Sequence, residues 1–365
     1  MKILDIIKVL EELAPLSLQE SYDNAGLVTG NPEWDVRAAL CSVDVTPEVM
    51  KEALKLKANL IVAHHPVIFS SLKSITGKTE TERVLLEAIR KNIAIYCAHT
   101  NLDNAREGVN QIISNKLGLK NCAILKPATD LLFKLVTFVP EEYADKVRDA
   151  VFRAGAGHIG NYDSCSFNSQ GEGTFRGNES TNPFVGQKGE LHNEPEIRIE
   201  TIVPEMHLKS VIDSMISAHP YEDVAYDIYP LKNIFPSVGS GMIGEFDTPV
   251  THDEFLEQVR KTFGIPVIRY SGKPSAEYKR IALCGGSGSF LIGQAIRSRA
   301  DAFLTSDLKY HQFFEADDKL LLCDIGHYES EQFTKEIFYS LLTKKFSTFA
   351  VHLSSIVTNP IKYYI

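Results

Sequence analysis

The amino-acid sequence predicts an α/β protein, a two-lobed α/β host interrupted by a ferredoxin-like α+β domain. Two stretches alternate strand-like and helix-like segments, the signature of a layered structure with a largely parallel sheet. Between them the order changes to β-α-β-β-α-β, which defines a ferredoxin-like split unit. The chain has 365 residues, more than one hydrophobic core usually serves, so several domains are expected. The expected division is host lobe 1 at 1–126, insert at 127–238 and host lobe 2 at 239–365.

Ile3, Ile6, Ile7, Leu10 and Leu13 recur at helical spacing before Pro15, so the chain opens with an amphipathic helix. Ala38 to Val43 reads as a strand. Pro47 to Leu56 reads as a helix, with Thr46 as N-cap and Pro47 at its first position, and Leu60 to Ala63 as the next strand. Helix Thr79 to Lys91, strand Ile93 to Ala98 and helix Gly108 to Leu117 continue the alternation.

The insert reads as strand Leu132 to Val139, helix Glu141 to Ala154, strand Ser164 to Asn168, strand Glu196 to Val203, helix Glu205 to Ala218 and strand Ala225 to Tyr229. A long loop, Ser169 to Asn193, joins its middle strands. From Ser240 the host rhythm resumes, with strand Arg280 to Cys284, helix Phe290 to Arg299, strands Ala302 to Thr305 and Leu320 to Cys323, and helix Tyr328 to Lys344.

Hydrophobic residues make up 44% and charged residues 23% of the chain, an ordinary globular composition that argues against disorder. The formal net charge is -9 with Lys and Arg dispersed, so an acidic surface is expected that repels phosphate backbones and gives no nucleic-acid interface. The first eight residues carry charges throughout, unlike a secretory signal or a membrane span, and a cytoplasmic location is expected. Cys41, Cys97, Cys122, Cys165, Cys284 and Cys323 include no C-x-x-C pair and read as reduced, buried thiols.

His64-His65 ends the apolar run Leu60 to Ala63 and is followed by Pro66, which stops regular structure. Neutral imidazole is the commonest protein metal ligand, and two at a strand-to-loop junction can turn to one side. Asp103 follows another strand, and His327 and Glu331, spaced i, i+4, share one helix face. In an open α/β sheet ligands gather beyond the carboxyl ends of strands, where these residues fall.

Imidazoles and carboxylates without thiolate suit Zn, Mn, Fe or Co rather than a sulfur-rich structural zinc. Five candidates exceed the needs of one tetrahedral ion. Two ions sharing a carboxylate, about 3.5–4 Å apart, would clamp both oxygens of a hydrolytic reaction and acidify a water to a pKa near ~7.

Other segments stay open between two readings. Cys284-Gly285-Gly286-Ser287-Gly288-Ser289 lacks the Lys-Ser/Thr of a Walker A loop and is either a tight turn or an anion contact. Thr305-Ser306-Asp307 with His311 either caps a strand end or supports the site. In the insert, the Gly155 to Asp163 run and His219-Pro220-Tyr221-Glu222 are read as turns first and as a second ligand site second.

His64-His65-Pro66 with Phe69, His99-Thr100-Asn101-Leu102-Asp103, Gly285-Gly286-Ser287-Gly288 and Gly326-His327-Tyr328-Glu329-Ser330-Glu331 together resemble the Nif-three-like dinuclear metal-binding family. Its bacterial members are often labelled GTP cyclohydrolase 1 type 2 homologues. The resemblance covers both host lobes, and the insert is similar to the PII- or CutA-like domain of the longer bacterial members. It implies His64, His65, Asp103, His327 and Glu331 as ligands of two divalent ions per chain, zinc first and iron, manganese or cobalt next, in a toroidal homohexamer. Many relatives have a Trp before an Asp-Asn pair where this chain has Tyr22 before Asp23-Asn24.

Two functions from different classes follow as expectations. One is a metal-dependent hydrolase opening a nucleotide or related heterocycle, GTP being the named case, with His99 as proton shuttle. The other is a metal-loaded regulatory or scaffold protein whose insert senses a ligand.

Overall fold

A computed structural model describes residues 1–272 and 274–364. The chain forms two compact units, one from Met1–Pro127 together with the chain from Pro236 onward, the other from Ala128–Phe235.

The first unit contains two sheets. In the five-stranded sheet the order is Gly26–Thr29, Ala94–Cys97, Leu60–Ala63, Ala38–Ser42, Ala350–Leu353. All neighbours are parallel except the first pair. The three central strands are buried along their whole length, as parallel strands covered on both faces must be. Val49, Met50 and Ala53 from helix Pro47–Lys55, with Val84 and Ala88 from helix Glu80–Lys91, pack on one face. Thr46 and Thr79 accept hydrogen bonds from Val49 N and Glu82 N and so cap these two helices.

The six-stranded sheet runs Arg269–Ser271, Leu321–Asp324, Ala302–Ser306, Tyr278–Ser287, Phe235–Val250, Lys120–Ala128. Its middle strands are parallel, and antiparallel pairs flank them. The carboxyl ends of the central strands of both sheets carry the loops that matter below.

The inserted unit is ferredoxin-like. Its sheet order is Ser166–Phe175, His192–Pro204, Leu132–Pro140, Tyr226–Leu231, with every neighbour antiparallel. Helices Ala144–Arg153 and Glu205–Ala218 cover one face, where Val147, Val151, Val211 and Met215 meet Leu135, Val139, Ile199 and Val203. Burying such side chains contributes on the order of 1.5–3 kcal/mol each. The insert therefore has a core of its own.

Several elements differ from the sequence reading. The expected loop Ser169 to Asn193 is shorter at both ends, because Ser166 to Phe175 pairs residue for residue with Thr201 to His192, leaving 176–191 as the connection. Gly171, Gly173 and polar residues on both faces give that ladder no hydrophobic periodicity. The expected helix Tyr328 to Lys344 is two helices, His327–Glu331 and Thr334–Lys345, with Gln332 donating to Phe263 O and Glu329 O at the break. Helix Glu141 to Ala154 starts with a 3-10 turn, Glu141–Tyr143, and is α-helical over Ala144–Arg153. The last strand, Ala350–Leu353, was not anticipated and pairs with Ala38–Ser42 in the five-stranded sheet. No helix among the described residues is long and apolar enough to cross a membrane.

The insert departs from neighbouring host strands. A Cβ at Gly244 would lie 2.8 Å from Cys122 Sγ and one at Gly241 3.4 Å from Leu125 Cδ2, so Lys120–Ala128 and Phe235–Val250 run in opposite senses. The insert thus occupies the place of a hairpin turn. Replacing residues 129–234 by a short Gly/Ser turn is expected to yield a folded host with a single cooperative transition in chemical denaturation. An insoluble product or a non-cooperative transition would show that the host core depends on the insert.

Candidate metal centre

The strand Leu60–Ala63 ends in a turn in which His64 N and His65 N both donate to the Val43 carbonyl, each at 3.0 Å. This fixes the two adjacent histidines at the carboxyl end of the sheet. Asp103 lies on the short helix Thr100–Asn104, just beyond strand Ala94–Cys97. His327 and Glu331 lie one turn apart on helix His327–Glu331, which follows strand Leu321–Asp324. Residues from three separate parts of the chain therefore converge.

Each histidine is oriented from behind. His64 is fully buried and its Nδ1 lies 2.8 Å from the Ala98 carbonyl, which can only accept, so Nδ1 donates and Nε2 faces Asp103 and Glu331. His65 Nδ1 lies 2.7 Å from Asp44 Oδ1, His327 Nδ1 2.6 Å from Asp307 Oδ2 and His99 Nδ1 2.8 Å from Asp23 Oδ1. Acceptors of this kind fix ring orientation and raise the basicity of the opposite nitrogen.

The opposite nitrogens of three rings meet Glu331. Its Oε2 lies 2.8 Å from His65 Nε2 and 3.0 Å from His327 Nε2, while Oε1 lies 3.6 Å from His64 Nε2. His64 Nε2 is also 3.7 Å from Asp103 Oδ1. His99 joins the group, since ligand-type atoms of His64, His65 and His99 lie within 4.8 Å of one another.

Two carboxylates side by side, Glu331 buried and Asp103 partly buried, demand positive charge. Burial and the charge on Glu331 push the Asp103 carboxyl up to about 8. Burial would also raise Glu331, but the facing imidazoles outweigh it and hold its carboxyl well below the usual range. Burial disfavours charge on His65 and His327, yet hydrogen bonds to Asp44 and Glu331, and to Asp307 and Glu331, raise them to about 10 and about 11. Without a metal, protons supply the balancing charge.

His64 Nε2 and Asp103 Oδ1 are buried and have no hydrogen-bond partner among the described residues. Leaving such atoms unpaired is costly. A divalent cation coordinated by both would remove the cost, and the nitrogen and oxygen donors suit one. The residues present fit a metal.

The glycine-rich turn proves structural. Gly285 N donates to Asn110 Oδ1, Gly286 N to Ser330 Oγ and Gly288 N to Thr305 Oγ1, so these three N–H groups are engaged within the protein. Gly286 has φ +62°, and a Cβ there would stand 2.2 Å from Glu331 Oε1. The backbone approaches the carboxylate too closely for any side chain. Asp307 supports His327 and Thr305 braces the turn, whereas His311 packs on Tyr310.

Asp44 and Asp23 were not recognised from sequence as partners of His65 and His99. Both follow or precede apolar runs as single acids, and no spacing rule links them to their histidines. A cavity of about 660 Å³ opens beside the cluster, with His65, Asp103, His327 and Glu331 on its wall and Tyr22, Phe69, Phe290 and Lys126 also lining it.

Comparison with known proteins places this geometry in a family. Residues 1–360 match the model for Duf34/NIF3 (NGG1p interacting factor 3). The chain is 42% identical over 363 residues to a GTP cyclohydrolase 1 type 2 homolog of Halalkalibacterium halodurans, covering 98% of each chain. It is 38% identical to the protein of the same name from Bacillus subtilis, covering 98% of this chain and 97% of that one. A crystal structure of a Bacillus cereus protein related to NIF3 superposes with a TM-score of 0.84 at 37% identity, covering 100% of this chain and 99% of the other. Matched along nearly its whole length in both sequence and fold, the chain belongs to the Duf34/NIF3 family.

Proposed function

We propose that the host unit binds two divalent ions through His64, His65, Asp103, His327 and Glu331 and acts as a hydrolase on a nucleotide or related heterocycle. One observation carries this reading. The two oxygens of Glu331 face different donors, Oε2 toward His65 and His327 and Oε1 toward His64 beside Asp103. A carboxylate so placed is suited to join two ions.

When bound, the ions would supply Lewis acidity toward an electrophilic carbon and toward the water that attacks it. Zinc is the first choice and iron, manganese or cobalt the next, on the chemistry of the donor set. The cavity of about 660 Å³ is within the size range of small-molecule sites and borders the cluster directly. The nucleotide assignment rests on the name GTP cyclohydrolase 1 type 2 homolog carried by the relatives. A homohexamer, which the family resemblance implies, belongs to the same proposal.

His99 is the proton carrier in this reading. Burial would raise Asp23, but hydrogen bonds from His99 and Thr100 hold it below the usual carboxylate range, so it remains an anion. That anion keeps the proton on His99 Nδ1. Nε2 is left to give or take a proton at the cavity, a role that requires hydrogen-bond reach to the reacting group. A second reading, a metal-loaded regulator whose insert senses a ligand, draws on a separate cavity in the insert.

Elemental analysis after reconstitution is expected to give about two ions per chain. Glu331→Gln should fall below one, while His99→Gln should keep its metal and lose turnover of a nucleotide such as GTP by roughly 10²–10⁴-fold. A wild-type ratio near zero would remove the metal reading. Metal retained with no turnover by wild-type protein on nucleotides and heterocycles would remove the hydrolase alone.

Uptake of metal at pH 8 should release protons, because His65 and His327, raised to about 10 and about 11, hold theirs at that pH until a cation displaces them. Titration calorimetry in buffers of different ionisation enthalpy measures the number. Heats independent of buffer would contradict the assignment of those two rings.

Gly286→Ala should lower metal content without unfolding the protein. The left-handed backbone costs about 1–2 kcal/mol for an L side chain, and the new methyl displaces the Glu331 carboxylate. Full metal content with a native circular dichroism spectrum would show that Glu331 does not need its present position.

A further inference from the structure

A second cavity, of about 590 Å³, lies within the inserted unit. Its wall is formed by strand residues Ser169 to Phe175, by part of the connection 176–191 and by Tyr221 to Asp223, the last held in place by His219. His219 is almost fully buried; its Nε2 lies 2.9 Å from the Phe138 carbonyl and must donate, so Nδ1 is free to accept from Tyr221 N at 3.1 Å. This pins Tyr221, whose hydroxyl donates to Glu196 Oε1 at 2.9 Å. Burial and the Glu196 carboxylate raise the phenol above its ordinary value, so it remains a donor. Glu222 accepts from Asn182 N at 2.7 Å and ties the long connection to the same segment.

The result is an aromatic wall around a carboxylate. Phe184 lies 6.3 Å and Phe175 6.2 Å from the Tyr221 ring, and Phe138 also lines the space. Phe184 is 49% exposed, an aromatic side chain held at a cavity rather than in the core. Glu196 Oε2 accepts no hydrogen bond among the described residues and stands where a Cβ on Gly173 would meet it at 2.2 Å. Glycine at 173 therefore makes room for it. The lining carries four acids, Glu172, Glu196, Glu222 and Asp223, against Arg176 and Arg198, and Arg198 is itself 2.9 Å from Glu200.

Aromatic faces carry negative potential and attract cations, more strongly where water is excluded. An acid excess with one free carboxylate oxygen adds a charge-assisted acceptor. A cavity of this volume with an apolar wall and a few converging polar groups has the form of a small-molecule site. We propose that the insert binds an organic cation with a flat aromatic or heterocyclic body, its charged N–H group on Glu196 and its ring against Phe175, Phe184 and Tyr221. The proposal stands on the insert alone and does not depend on the metal reading.

Benzamidine, a flat aromatic amidinium, tests it against its neutral and anionic analogues benzamide and benzoate. The measurement uses the full chain stripped of metal with EDTA, followed by ligand-observed NMR and titration calorimetry. Benzamidine should bind about tenfold or more tightly than either analogue, the scale of one charge-assisted hydrogen bond. Glu196→Gln should remove that preference, and Tyr221→Phe should weaken benzamidine severalfold, both with native circular dichroism spectra. His64→Ala in the host should leave benzamidine binding unchanged. Equal binding of the three probes, binding of none, a preference for benzoate, no effect of Glu196→Gln, or loss of binding in His64→Ala would each overturn the proposal. Metal content plays no part in these outcomes, so their failure is distinct from failure of the hydrolase reading.

Discussion

A single buried carboxylate organises the host unit. Glu331 is 2% exposed, and such a group is tolerated in a protein interior only when positive charge or strong donors meet it. His65 and His327 do so at 2.8 and 3.0 Å, with His64 farther away at 3.6 Å, and each of the three rings has its own acceptor or acid behind it to hold it in place. The requirement propagates outward. Asp44 supports His65, Asp307 supports His327, the Ala98 carbonyl supports His64, and Gly286 yields its side chain so that the carboxylate can sit where the rings converge.

The fold meets this requirement by bringing strand ends together. His64 and His65 leave one strand of the five-stranded sheet and Asp103 follows the neighbouring strand Ala94–Cys97. His327 and Glu331 follow Leu321–Asp324 of the six-stranded sheet. Fully buried parallel strands hold those ends in register, since a one-residue slip would move every side chain to the opposite face. The C-terminal segment adds to the support: Thr358 donates to Asp44, and Asn359 donates to Glu329 at 2.9 Å. Positions far from the cluster in sequence thus affect its geometry through hydrogen bonds to acids that never face the cavity.

The two units use acids differently. In the host cluster, carboxylates are buried against imidazoles, and two atoms, His64 Nε2 and Asp103 Oδ1, lack partners among the described residues, which suits a metal. In the insert, Glu196 is partly exposed, shares one oxygen with a tyrosine and stands among aromatic rings, which suits an organic cation rather than a metal. Nitrogen donors within reach, and their presence or absence, separate the two chemistries.

Sequence alone predicted the broad architecture and marked His64, His65, Asp103, His327 and Glu331, which the structure brings together. Strand-helix alternation survives in the buried strands because apolar runs bounded by Pro and capping Thr residues are local signals, as at Thr46-Pro47 and His64-His65-Pro66. The β-α-β-β-α-β order marks the insert for the same reason. The extension of the predicted strand at Ser164 to Asn168 as far as Phe175 and the strand Ala350–Leu353 were not legible, because their identity comes from a partner strand rather than from their own periodicity. The assignments of Asp44 and Asp23 to particular histidines, the close approach of Gly286 to Glu331 and the gathering of Tyr221, Glu196 and Phe184 were likewise decided only by tertiary structure. Local periodicity records which face of an element is buried, whereas these contacts depend on where distant strand ends and loops meet in space.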